Sequence, residues 1–110
     1  MIQDTIQKIE ARLRDADNLA DGTRSELTTL LEELKSEVSG LADTDADHAQ
    51  SIAGFAQLST HEATRDDTNT DALKHSLGGL EASVTELESS HPQLVSVVNR
   101  ICVALSNLGI

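Results

Sequence analysis

Apolar residues in this chain return at alternating intervals of three and four, and almost none of them is aromatic. Ile2, Ile6, Ile9, Leu13, Ala16 and Ala20 share one stripe of a helix, and Leu27, Leu30, Leu34, Val38 and Leu41 form another, widened by Leu31. Phe55 is the single aromatic, so a core must be built from Leu, Ile, Val and Ala. No run alternates with period two, and the aromatic and β-branched strands of sandwiches and barrels are absent. The expected fold class is therefore all-α. It comprises an antiparallel helical hairpin over residues 1–41, a long or broken helix over 47–89 and an apolar C-terminal helix over 92–108. A chain of 110 residues packs these as one coiled-coil-like bundle in a single domain.

Local signals mark the joints. The first helix is expected to stop at Asp21-Gly22, and Thr23 with Glu26 fits a capping box that opens the second. Asp43, Asp45 and Asp47 alternate with small residues and read as a connection, because Asp caps helices well and sits poorly inside them. A second helical region begins near Asp47. Its strong stripe, Leu73, Leu77, Leu80, Val84 and Leu87, extends backwards onto Thr70, Asp66, Ala63, Ser59, Ala56, Ile52 and Ala49 in one heptad phase. One long helix satisfies that phase. The run RDDTNTD over residues 65–71 opposes it and favours a break, since its side chains compete with the helix backbone. Gly78-Gly79 falls on the solvent side of the heptad and costs about 1 kcal/mol per Gly relative to Ala, marking a bend or a place where another backbone approaches.

Ser90 or His91 caps the last helix, with Pro92 at its first position. Leu94, Val98, Ile101, Leu105 and Leu108 form its stripe, and Val95, Val97, Cys102 and Ala104 carry apolar surface further round. Such a helix needs at least two covering neighbours, which makes it the expected centre of packing. The residues expected in the core or in a subunit interface are Leu73, Leu77, Leu80, Val84, Leu87, Leu94, Val98, Ile101, Leu105 and Leu108.

The run SHPQLVSVVNRICVALSNLGI over residues 90–110, with its His-Pro start and Leu-Gly-Ile end, resembles the domain-of-unknown-function family 4404. The N-terminal hairpin is similar to it as well, and SIAGFAQLSTHEATR over residues 51–65 is similar to one subgroup. The resemblance implies a helical, bacterial, intracellular protein with no assigned activity, and it supplies no catalytic or binding residue.

Candidate chemical sites fail on spacing. Asp43, Asp45 and Asp47 start like a calcium loop, but His48 stands where the loop needs Gly and Gly54 where it needs a bidentate Glu. His48, His61, His75 and His91 include no pair at turn spacing for a transition metal. Cys102 is the single cysteine, so no intrachain disulfide forms, and its helical neighbours Val98, Asn99, Leu105 and Ser106 offer no base. Glu32-Glu33 and Asp66-Asp67 diverge on a helix and read as solvated surface. The expectation is no catalytic residue, no metal and no cofactor.

Lys and Arg number 8 against 19 Asp and Glu, a formal charge of −11, and the basic residues are scattered among acids. That excludes nucleic acid and disfavours anionic membranes. The start of the chain lacks the basic and apolar regions of a secretory signal, and no stretch reaches the roughly 18 apolar residues of a membrane span, so the cytoplasm is the expected location. The expected function is that of a non-enzymatic structural or interaction protein, self-associating as a dimer or tetramer because so few large apolar residues promise little private core. The alternatives are a basic protein partner held by the acidic connections, and peripheral membrane association through the last helix, which lacks the Lys and Arg of an interfacial helix.

Overall fold

The stripes become five helices in the computed structural model, which describes residues 2–109. They are α1 (Ile2–Asp15), α2 (Asp21–Ala42), α3 (Ala46–Ala63), α4 (Thr70–Val84) and α5 (Pro92–Gly109), with a 3₁₀ turn at Thr85–Leu87 and no strand among the described residues. Met1 and Ile110, the two ends of the expected domain, lie outside them.

Polar contacts fix the directions. Gln3 reaches Ser39 at 3.3 Å, so α1 and α2 are antiparallel, as the hairpin reading required. Gln50 donates to Thr5 at 3.1 Å and Arg12 to Thr64 at 2.7 Å, which sets α1 and α3 side by side in the same direction. The His48 ring meets the Ser83 carbonyl, and Thr70 donates to the Gly109 carbonyl at 3.5 Å. Helices α1, α3 and α5 therefore run one way, and α2 and α4 the other.

α3 touches all four of the other helices. It can do so because the side it buries is narrow: Ala49, Ala53, Ala56, Ser59 and Ala63 are buried with Ile52, and small side chains let neighbouring helices approach closely. The shared heptad phase of α3 and α4 is thus real. Its two members in the middle, Asp66 and Thr70, are exposed. The chain breaks at residues 64–69, where Asn69 accepts from the Ala72 amide at 3.0 Å and so starts α4 afresh. Asp45 caps α3 in the same way through the His48 amide at 3.0 Å.

α5 packs against α2, α3 and α4, so the helix expected to need two neighbours has three. Leu73, Leu77, Leu80, Val84, Leu87, Leu94, Val98, Ile101 and Leu105 are all buried, and Leu108 is partly buried against the same core. Val97 and Ala104 join it, whereas Val95 is half-buried and Val103 faces outward. The Cα radius of gyration is 12.9 Å, against about 13 Å for a compact chain of this length. The seams pair within one chain. A dimer or tetramer is expected if the private core is too small, and that ground is removed: apolar residues of all five helices close on a shared interior.

Three local expectations need correction. α1 ends at Asp15 rather than near Ala20, so Ala20 is exposed and Leu19, off the stripe, is buried in its place. The cause is Arg24, whose guanidinium donates to the carbonyls of Leu13, Arg14 (3.2 Å) and Leu19 (3.2 Å). A cation there satisfies the unpaired carbonyls at the end of α1 and complements the helix dipole. Second, α2 begins at Asp21 with Ala20 as its cap residue and no side-chain cap bond, so Thr23 lies inside the helix and its capping box does not form. Third, α4 runs unbroken through Gly78-Gly79, and Gly79 is not on an open face. A Cβ at Gly79 would collide with the Phe55 ring, so it is the aromatic ring, not another backbone, that occupies the space.

Two stability tests follow from these contacts. Arg24→Ala should lower stability by about 1.5 kcal/mol, the scale of hydrogen bonds from a charged donor, which corresponds to a fall of roughly 5–10 °C in Tm by thermal circular dichroism. Arg24→Lys should recover only part of it, having no planar fork to span three carbonyls. The glycine pair should split. Gly78→Ala meets nothing within 4 Å and should stabilise by up to about 1 kcal/mol. Gly79→Ala must displace the Phe55 ring and should fall clearly below it in urea titrations; equal gains would show the ring contact to be inconsequential.

Candidate functional site

Two regions of the surface depart from a uniformly solvated helical bundle. The first is a polar cleft of about 190 Å³ at one end, lined by Arg12, Asp15, Asp17, Asn18, Thr64 and Asp66. Arg12, Asn18 and Thr64 are engaged with one another, while Asp15 pairs with Arg14 and Asp17 and Asp66 are exposed. The Thr64 hydroxyl accepts from Arg12 Nε at 2.7 Å and donates to the Thr60 carbonyl at 2.7 Å, while Asn18 donates to the Thr64 carbonyl at 3.4 Å. Arg12 and Asn18 thereby bind the end of α1 to the end of α3. The cleft works as a latch, its Thr64 hydroxyl already donating to a backbone carbonyl and accepting from Arg12.

The second region is the outward side of α5. Ser96, Asn99, Arg100, Val103 and Asn107 are exposed there, and Val103, at 62% exposure, lies opposite the buried stripe. No Asp or Glu occurs in α5, although the chain holds 19 of them, and the helix carries one charge, Arg100. Arg100 donates to Glu33 of α2 at 2.8 Å, which removes it as a free cation. Beside Val103, on the α2 side, an apolar depression of about 450 Å³ is lined by Glu26, Leu30, Asn99 and Arg100. On the α4 side a second depression is lined by Leu77, Glu81, Cys102 and Ser106. The signal was present in the sequence as an acid-free stretch after Glu88, but the stretch reads there only as an apolar helix. Which of its positions face out is decided by three-sided packing.

A second apolar exposure lies on α3, where Phe55 is 37% and Leu58 46% exposed, three residues apart. The other residues singled out from the sequence stay dispersed. His61 and His75 are exposed on different helices, His91 lies beside Ser90 at 3.0 Å, and His48 is held between Asp45 and the Ser83 carbonyl. Asp45 spends its carboxylate on the α3 cap, and Asp43 and Asp47 are exposed. Among the described residues no group of three or more His, Cys, Asp and Glu is placed to hold a metal ion. No helix among them is long and apolar enough to cross a membrane. The apolar stripe of α5 is also spent on the core, so the helix has no free stripe to lay on a lipid surface.

Cys102 is buried, and burial, with the Glu81 charge adding to it, pushes the thiol from 9.0 up to about 12. A neutral thiol packs as a small apolar group and is a poor nucleophile. The pH consequence follows from the sign. A thiol raised in the folded state leaves stability unaffected below the unfolded value of about 9 and costs stability as pH climbs from there towards 12. Residues 2–110 match a family model described as a domain of unknown function, DUF4404. No curated protein and no solved structure matches the chain. A disulfide reagent at pH 8 should accordingly modify Cys102 only slowly in the native protein and at once in denaturant. Rapid native labelling would mean that α5 opens far more readily than its packing implies.

Proposed function

The chain belongs to the DUF4404 family, and we propose that it is a non-enzymatic interaction protein whose contact surface is the outward side of α5. The observation that carries this reading is the missing charge. Soluble helices keep their outward positions charged, and the rest of this chain does so to the extent of a net −11. The outward side of α5 instead offers Ser, Asn and an exposed Val103, with its single cation paired. Interface cores are depleted of charge in this way, because each charge would have to be desolvated on binding. The sealed thiol, the saturated Thr64 hydroxyl and the scattered histidines offer no competing chemistry.

A dimer or tetramer is the second reading, and Phe55 with Leu58 on α3 is what favours it. Two large apolar side chains exposed side by side gain by covering one another in a symmetric contact. The acidic connections at residues 43–47 and 66–71 support a basic partner less well than α5 does, since Asp45 is already employed as a cap and the remaining carboxylates stand fully in solvent. Location in the cytoplasm remains part of the proposal.

A photo-activatable side chain placed at position 103, at position 58 or at the exposed control position 36 of α2 separates the readings in living cells. Discrete heterologous adducts from position 103 alone are expected. Adducts from 58 at twice the chain mass would favour self-association. An equal, diffuse pattern from all three positions would sink the interaction surface on α5.

A further inference from the structure

The exposed pair on α3 belongs to a larger face, and this step rests on the second reading above, self-association. Ser51, Phe55 and Leu58 share one stripe of α3, and His75, Gly78 and Ala82 share one stripe of α4, each at intervals of three and four. All six are exposed. The Phe55 ring lies where a Cβ on Gly79 would be, and the His48 ring meets the Ser83 carbonyl, so the two antiparallel helices present these stripes side by side.

Relief and charge both set this face apart. Phe55 and Leu58 stand out beside Ser51, Gly78 and Ala82, which have small side chains or none, and a Cβ on Gly78 would meet nothing within 4 Å. Residues 48–61 and 72–80 contain no Asp or Glu, in a chain that holds 19. The depressions flanking α5, by contrast, are bordered by the exposed Glu26, Glu81 and Glu88.

We infer that this face of α3 and α4 is the contact between two copies of the chain. A twofold axis relates them, and Phe55 and Leu58 of each copy sit on Ser51, Gly78 and Ala82 of the other. Such a contact sets a patch against itself, so it needs relief that complements itself and no surplus of one charge. Here raised and flat positions occur together on one patch, and small residues between helices allow the close approach that burying the raised ones requires. The net charge of −11 acts as a filter. Two such bodies repel one another over most of their surface, and that repulsion is weakest where neither presents an acid. α5 contributes no residue to the face, so its outward side stays free in the pair.

Sedimentation velocity of the full chain, from low to high micromolar concentration, tests the inference. The expected result is a reversible pair that falls to the mass of one chain on dilution. Leu58→Glu lies at an exposed position, so circular dichroism should show the fold intact. It should weaken pairing by about a hundredfold or more, because one substitution enters a symmetric contact twice. Gly78→Gln should weaken pairing too, yet raise Tm at a concentration where the parent chain is single, since an exposed helix gains from losing a glycine. Loss of contact is thereby separated from loss of fold. Val103→Glu should leave pairing unchanged. Added salt should tighten the pair, because it screens the repulsion between two anionic bodies. A pair that survives both Leu58→Glu and Gly78→Gln, or that loosens with salt, would overturn this face while self-association stands. A chain that stays single at every concentration would overturn both.

Discussion

The rest of this structure depends on how little room α3 takes up. A helix that buries Ala49, Ala53, Ala56, Ser59 and Ala63 is slender on its packed side, and only a slender helix can be approached by four others at once. The large residues come from the neighbours, Ile6, Ile9 and Leu13 from α1 and the leucines of α2, α4 and α5, which fill the space that α3 leaves. Complementarity of small against large is what brings a core without buried aromatics to close packing. It also explains the buried Ser59, whose hydroxyl finds no partner among the described residues: its size suits the waist of α3, and the unmade hydrogen bond is a cost accepted there.

From that centre the polar contacts act as fasteners at the two ends of the bundle. Arg24 closes the end of α1, and Arg12 with Asn18 ties the same end to α3. At the other end the His48 ring meets α4 at the Ser83 carbonyl. Each is a contact between side chain and backbone or hydroxyl, where directional geometry adds orientation that apolar packing alone leaves loose. The surface ion pairs are fewer and weaker in effect; Arg65 with Glu62 and Arg100 with Glu33 are partly solvated and contribute little to stability. Arg100 matters more for what its pairing removes, a free positive charge from the outward side of α5.

Function enters through the same geometry. Because α5 is held on three sides, its fourth side is defined by default, and the acid-free composition of the helix makes that side unlike the rest of the surface. The latch at the end of α1 and α3 engages Arg12, Asn18 and the Thr64 hydroxyl. An outward Val103 between Leu30 and Leu77, with exposed glutamates beyond, is the surface proposed for contact.

What the sequence by itself determined was the class of fold, the hairpin and nearly every core position, while it only favoured the break within residues 65–71, because three-four periodicity and helix-breaking side chains act over one or two turns. Leu73, Leu80, Val84, Leu94 and Leu105 are buried where their spacing put them. Tertiary structure decided the rest. Arg24 closes the end of α1 through carbonyls 5 to 11 positions earlier in the chain, and α2 starts at Asp21, which leaves Thr23 inside the helix rather than at its cap. Gly79 is taken by a ring 24 positions earlier on another helix, an encounter that no local pattern encodes. Whether the stripes close within one chain or between chains was also out of reach, since a stripe specifies that it must be buried and not by which helix. The face proposed for contact was hidden for the same physical reason: a helix that is apolar nearly all round shows its free side only once its neighbours have taken the others.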